Sequence, residues 1–597
     1  MPLLHDPNNT AAEQLIGSTP RRRFLGRAGA GLVGLAGSAA APALPAATPS
    51  AFAQTGATAD PATYDASFRR RSHKLRVDLA NAGAQEPIPP HPTNGDEARY
   101  PNKIGSDSRG LPHNARGEVD LAAWKLASAA FASREPADFE KITLGGTRKL
   151  LNPIGTLAVS LDGLNASQFA LPPAPALASA ARASEAIEIY WVSLLRDVPF
   201  NEFRDDTSHR DVIAAAEELS KAPDFHGPKI NGKVTPQTLF RGAAFYVDNN
   251  DRSGRTGRWA TPPGVTDGPY ISQFLYRDVP FGPQTLSARI RTYTPASEFL
   301  TQPDEWLNVQ NGNAAKGSIT FDPTRRYIAN SRDLAAYAHA AAAFNAIANQ
   351  LLGTPAASDA AFGGIFPAAQ NTLASSNPYL KLKTSGGASG TFGTTYFQSI
   401  LSLAASLGIR ISYYQKWYEQ RVLRPEAFGG LVHQRLAHQV SEYPIHDAFL
   451  GSQALERSRA RHGTHLLSHV YPEGAPIHSS YPGGAAIIGA VTATLLKAFY
   501  DESLPIPNPV QPDPIDPTKL VPYQGPPLTI GGELNKLALN YGSGRTAAGI
   551  HWRSDAAASY AQGEALVISI LREQKATFRE PFDAFSFTRF DGSRVTV

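Results

Sequence analysis

The sequence predicts a mainly α-helical fold, with bundled helices joined by long irregular connections. Several long segments carry apolar residues at helical spacing. Alternating strand-like runs are few and short, and Pro and Gly gather in residues 85–115, 225–285 and 504–527. In chain order, Asp333 to Leu352 is Ala-rich with apolar positions at helical spacing. Phe397 to Val422 places Leu401, Leu403, Ile409, Ile411, Tyr414 and Trp417 on a helical pattern. Gly484 to Phe499 is apolar nearly all round, so it should be buried. Leu534 to Tyr541 and Asp555 to Glu573 read as further helices, and Phe585 to Val597 as a hairpin around Asp591-Gly592. No repeat of fixed period is visible.

The chain has 597 residues, 42% hydrophobic and 18% charged, enough for a large core or two fused cores. Its formal charge is +4, from 56 basic and 52 acidic residues. Such a balance gives no reason to expect nucleic acid or an anionic membrane as partner. There is no cysteine, and Met1 is the single methionine. Disulfides, thiolate metal sites and Cys nucleophiles are therefore excluded. A chain without thiols or thioethers suits a protein that meets strong oxidants; drift in a GC-rich genome would leave the same mark.

Pro20-Arg21-Arg22-Arg23-Phe24-Leu25 precedes a weakly apolar Gly/Ala run, followed by Ala51-Phe52-Ala53. Residues 1–53 thus read as a twin-arginine export signal cut near Ala53, which predicts a periplasmic or secreted protein. No other segment offers about 18 uninterrupted apolar residues, so no membrane insertion is expected. Residues 54–180 form an N-terminal helical and irregular region, and 181–597 a helical core. Asp248 to Gly254 superficially suggests a calcium loop but lacks the distal glutamate, and reads as a polar turn. His462, His465 and His469 have one-face helical spacing but no fitting carboxylate, and read as a solvated helix face.

Three blocks between Lys416 and Asp555 read together as one oxyanion site. The first runs from Lys416 to Arg424-Pro425-Glu426, the second from His478 to Gly483-Gly484-Ala485, and the third joins Arg545 to His551 and Asp555. Lys416, Arg424 and Arg545 supply positive charge and N–H donors for a multiply charged oxyanion. The eight-residue spacing of Lys416 and Arg424 places them on a similar helix face, with Pro425 ending that helix. Gly483-Gly484 opens the apolar helix, where unblocked backbone N–H groups bind anions. His551 can ligate a metal or attack phosphorus, and Asp555, four residues on, can accept its second N–H.

This ordered set resembles the signature of the vanadium-dependent haloperoxidases and the acid phosphatases that share their fold. Leu194 to Phe200, Leu111 to Asn114, Arg424 to Gly430, Glu473 to Pro476 and Gly532 to Leu537 resemble the algal bromoperoxidase branch. The resemblance implies vanadate as cofactor, with His551 as the single protein ligand to the metal. Lys416, Arg424, Arg545 and the Gly484 N–H would bind its oxygens. It implies hydrogen peroxide, halide and small organic acceptors as substrates, and a homodimer or larger assembly. The family's middle element ends Ser-Gly-His, whereas here Gly483-Gly484-Ala485 stands. The missing histidine weighs against phosphatase chemistry, which needs an acid for the leaving group. His478, which matches a histidine of the algal enzymes, is the candidate replacement base. A degenerate oxyanion-binding homologue is the alternative.

Overall fold

A computed structural model describes residues 61–597 apart from 162–163, 206, 244, 249–256, 282, 340–364, 367–369 and 385–389. Residues Ala59–Val597 form one compact unit. Twelve helices of eight or more residues occur among the described residues: α1 Pro61–Gln85, α2 Leu121–Ser133, α3 Ala180–Leu194, α4 Arg210–Lys221, α5 Pro303–Gln310, α6 Ser331–His339, α7 Thr394–Tyr414, α8 Pro425–Ala437, α9 Gln453–His462, α10 Gly484–Phe499, α11 Ile530–Ala547 and α12 Arg553–Lys575. The strands described pair only as four short antiparallel hairpins. The last joins Ser586–Thr588 to Arg594–Thr596, with Gly592 at φ +85° in its turn, as the Asp591-Gly592 pair predicts.

The core centres on α10, which packs against α7, α11 and α12. Its all-round apolar sequence follows from that position, since neighbours cover it on several sides. Close approach of α10 to α11 requires a glycine. A β-carbon on Gly489 would stand 3.0 Å from the Ala538 carbonyl oxygen. At the start of α11, the Thr529 hydroxyl accepts from the Gly532 N–H at 3.2 Å.

The segment from Phe397 to Val422 is not one helix. α7 ends at Tyr414, a π-helical turn covers Gln415–Gln420, and Arg421 turns left-handed at φ 39°. The Glu97 carboxylate holds that break, accepting from Arg421 Nε at 2.6 Å and a second guanidinium nitrogen at 3.1 Å. Lys416 and Arg424 therefore do not share a helix face. Arg424 is extended at the N-cap of α8. Pro425 begins that helix rather than ending one, because the first helical position needs no N–H and suits the fixed φ of proline.

The expected helix from Asp333 to Leu352 is present as α6 to His339, and residues 340–352 lie outside the described residues, as does most of Asp248 to Gly254. α9 stops at His462 because Gly463 takes φ +74°, so His465 and His469 leave the helix, and His469 is fully buried rather than solvated. No cluster of His, Cys, Asp or Glu among the described residues is arranged to hold a metal ion. No helix among them is long and apolar enough to cross a membrane.

Candidate active site

The ends of four helical elements converge on one buried point, and the last turn of α11 brings the charge of Arg545 near it. Lys416 comes from the π turn after α7, where the extra residue per turn swings its side chain inward. Its Nζ donates to the carbonyls of Ser479 and Ser480 at 2.7 and 2.8 Å. Arg424, at the start of α8, donates from Nε to the His478 carbonyl at 2.9 Å and from one terminal nitrogen to the Ile550 carbonyl at 2.8 Å. Both side chains are fully buried.

His551 stands just before α12. Its Nδ1 lies 2.8 Å from Asp555 Oδ2, and Arg424 lies 3.1 Å from its Nε2. The arginine can only donate, so Nε2 carries the lone pair and Nδ1 the proton. Asp555 is the third residue of α12, and the same oxygen also accepts from the Trp552 N–H at 2.9 Å and from the Ser480 hydroxyl. Burial, followed by the charges of Arg424, Lys416 and Arg545, holds the His551 imidazole well below its usual range. The nitrogen facing the cations is therefore a neutral, oriented ligand atom.

His478 joins the same network. Arg424 donates to its Nδ1 at 2.9 Å, and its Nε2 lies 3.2 Å from the Tyr413 hydroxyl. Nδ1 also faces the Ser479 carbonyl at 3.0 Å. One nitrogen cannot accept from the first and donate to the second, and the guanidinium fixes it as the acceptor. The proton then sits on Nε2 and points at Tyr413. Burial and the charges of Arg424 and Lys416 hold this imidazole well below its usual range too.

Gly483 and Gly484 open α10 with no side chain capping the helix. The Gly483 N–H is bonded to the Asp555 carbonyl at 2.9 Å. A β-carbon on Gly484 would stand 3.2 Å from the Tyr413 ring, so the tyrosine covers this helix start. Arg545, in the last turn of α11, makes no hydrogen bond to the other site residues among the described contacts. It donates to the Ala338 carbonyl at 3.4 Å and lies over the Tyr471 ring. Its charge nevertheless acts on both Lys416 and His551.

Three participants escape sequence inspection. Ser480 lies inside the second block but carries no pattern of its own. Tyr413 reads as an ordinary core position of α7. Asp107 lies some three hundred residues from the cations it faces, and burial pushes its carboxyl up to about 6 against the pull of Arg424, Arg109 and Lys416.

The sequence is 30% identical over 512 residues to the vanadium-dependent bromoperoxidase of Ascophyllum nodosum, covering 82% of this chain and 86% of that protein. The vanadium-dependent bromoperoxidase of Corallina pilulifera is 28% identical over 630 residues, covering 90% of this chain and all of that protein. The fold matches the homohexameric structure of the second vanadate-dependent bromoperoxidase from Ascophyllum nodosum, with a TM-score of 0.77 at 25% identity, over 91% of this chain and 92% of that one. No family model matches the chain. A shared fold, and sequence kinship along most of its length, place the chain in the vanadium-dependent bromoperoxidase family.

Proposed function

We propose that this protein is a vanadate-dependent haloperoxidase that uses hydrogen peroxide to oxidise bromide or iodide to hypohalous acid. The reaction consumes one halide, one peroxide and one proton, and releases hypohalous acid and water. The observation that carries the reading is the His551 imidazole: neutral, oriented by Asp555, its unprotonated Nε2 turned toward buried cations and accepting from Arg424. The residues present fit a tetrahedral oxyanion. Lys416, Arg424 and Arg545 outnumber the facing carboxylates Asp555 and Asp107, the nearby Glu426 being paired with Arg109. Arg545 Nε is buried with no hydrogen-bond partner among the described residues, and the α10 N-terminus has no side-chain cap. Vanadate would be held by these cations and the Gly483-Gly484 helix start, and ligated by His551. When bound, it supplies a Lewis acid that polarises peroxide without changing its own oxidation state.

The chain's residues do the rest. Asp555 keeps the His551 proton on Nδ1 and the ligand lone pair on Nε2. Lys416 and Arg424 offer N–H groups to the anion's oxygens and neutralise charge that builds there. Gly483-Gly484-Ala485 stands where the relatives' Ser-Gly-His element is expected, so the acid-base task passes to His478 and Tyr413. An anion beside Arg424 and Lys416 opposes the field that keeps His478 neutral. Its imidazole can then take up the proton that peroxide gives up at Nδ1, once the Arg424 N–H that meets this nitrogen turns to the anion, while the Nε2 proton stays directed at Tyr413 and orients the ring. Ala485 cannot protonate an alkoxide leaving group, and losing a general acid typically costs a factor of about 10² to 10⁴, so phosphatase activity should be weak. Residues 1–53 would direct export, after which the mature chain carries a formal charge of about +2. The homohexameric relative supports a homo-oligomer, and small organic molecules are the natural acceptors of hypohalous acid.

Bromination by the purified mature chain, with and without vanadate, tests this. Vanadate should raise the rate far above that of free vanadate, and His551→Ala should remove the increment, a loss of at least about 10³-fold. Arg424 already occupies the ligand nitrogen at 3.1 Å, which favours a second reading, a non-catalytic oxyanion binder. That reading would prevail if vanadate bound without raising the rate.

A further inference from the structure

Next to the anion site lies a cavity of about 320 Å³. Arg148 and Lys149 line it together with Arg545, the cation it shares with the anion site, against the single carboxylate of Glu473. That carboxylate is already engaged. His339 Nε2 lies 3.4 Å from it, while Arg109 and Arg148 donate instead to the Glu473 backbone carbonyl, at 2.6 and 3.0 Å. Burial raises the Glu473 carboxyl, but the contact with His339 and the charge of Arg148 outweigh this and hold it below its usual range. Lys149 is exposed, with no hydrogen bond or ion pair among the described residues. The cavity is thus a cationic pocket with unmatched charge.

The remaining walls are not those of a plain anion site. Pro476, Ile477 and Ile550 supply apolar surface. His339 stacks on Tyr471 with centroids 4.1 Å apart and planes 24° apart, and the Tyr293 hydroxyl lies 2.8 Å from His339 Nδ1. The pocket also abuts the reacting centre. Ile550 directly precedes His551, and Ile477 directly precedes His478.

We propose that this cavity seats the organic acceptor, and that the acceptor is a small aromatic carboxylate bearing a ring hydroxyl, of the hydroxybenzoate class. The inference rests on the haloperoxidase reading above. The carboxylate meets Lys149 and Arg148, and the ring lies between the His339 face and the apolar wall. A volume near 300 Å³ is the lower end for small-molecule pockets and suits one substituted ring. Hypobromous acid formed next door gives its bromine to a ring carbon activated by the hydroxyl. That carbon loses its proton, and proton and hydroxide leave as water. An uncharged acceptor of the same shape leaves the cations unmatched and should bind less well.

Titration calorimetry of the mature chain with 4-hydroxybenzoate, 4-hydroxybenzamide and acetate tests the assignment. The aromatic acid should bind at least ten times tighter than either the amide or acetate. Lys149→Glu, checked for an unchanged melting temperature, should remove the preference for acid over amide. Equal binding of acid and amide, equal binding of acid and acetate, or an unaltered preference in Lys149→Glu would each overturn the proposal. Triiodide formation by the vanadate-loaded wild type needs no organic acceptor and separates the two readings. Triiodide without the aromatic-acid preference overturns the acceptor site alone. The preference without triiodide overturns the enzymatic reading, and with it the acceptor role.

Discussion

Two clusters of charge in this molecule both hold fully buried cations and are opposite in composition. In the first, Arg332 is forked onto Asp197 at 2.6 and 2.9 Å and onto Glu298 at 2.6 Å, while Arg196 pairs with the other oxygen of Glu298. Each guanidinium there meets a carboxylate. In the second, Lys416 and Arg424 donate to carbonyls and imidazole nitrogens, and the Asp555 carboxylate faces His551 instead. The titration of the cations reflects the contrast. Burial lowers Arg332, but Asp197 and Glu298 outweigh it and raise it overall, whereas Arg196, which shares Glu298 with it, stays lowered by burial, so the contrast rests on Arg332. Burial lowers Arg424 and Lys416, and here the carboxylates do not compensate. A self-neutralised cluster is a structural fastening. A cluster left short of negative charge is built for an anion that comes from outside.

The difference can be broken by removing one cation from each cluster. Arg332→Ala removes the counter-charge of Asp197, whose side chain is 36% exposed, while Glu298 keeps Arg196; solvent screening brings the cost below that of a fully buried pair, to about 2–3 kcal/mol. Urea unfolding should show a loss of that order while the gain in stability from vanadate persists. Lys416→Met should behave in reverse. It removes a buried cation that lacks a carboxylate, and in exchange leaves two carbonyls without a donor. Stability of the anion-free chain should therefore move by no more than about 2 kcal/mol. The stabilisation by saturating vanadate, about 2.7 kcal/mol at a hundred times Kd for the wild type, should largely vanish. A Lys416→Met chain that melts far below wild type and still responds to vanadate would mean that the charge excess is structural.

Acid sharpens the comparison. The folded chain keeps His478 and His551 neutral, whereas the unfolded chain protonates them below about 6.5. Stability should therefore fall as pH drops through that value, by up to about 1.4 kcal/mol per pH unit for each imidazole. Asp197 has the opposite origin. Burial raises it, but Arg332 outweighs this and holds it below the usual carboxylate range, so its contribution is lost only near pH 4 and lower. Melting curves from pH 8 to pH 5 should show the slope of the two histidines, partly offset below pH 6 by Asp107, whose raised carboxyl takes up a proton in the folded chain, and saturating phosphate or vanadate should flatten it. A pH-independent melting temperature across that range would contradict the neutral assignment.

The smallest expected effect is a gain. A β-carbon on Gly483 would meet Ala486, the Asp555 carbonyl and the Ser559 hydroxyl at 3.4–3.5 Å, which is ordinary contact. Gly483→Ser should therefore fold normally and add one donor to the anion site. A charge-assisted hydrogen bond of about 1.5 kcal/mol would tighten vanadate about tenfold. Unchanged affinity by calorimetry would place Gly483 away from the anion.

The helical class was legible from spacing alone, because an apolar face has to recur every three or four residues whatever lies against it. The three blocks were legible because their chemistry is dense: cations, imidazoles and glycines at short intervals. The His551–Asp555 pair was legible too, since four residues at a helix start bring two side chains together without help from the rest of the chain. Reading Lys416 and Arg424 as one helix failed because the break between them depends on Glu97, which clamps Arg421 from more than three hundred residues away. Tyr413 over the Gly484 helix start, Asp107 beside the cations, and Arg148 and Lys149 facing Arg545 were decided only by tertiary structure. Local pattern reports what one element needs from its own residues. Which distant charges share one low-dielectric space, and whether their sum is neutral, is settled only when packing brings the elements together.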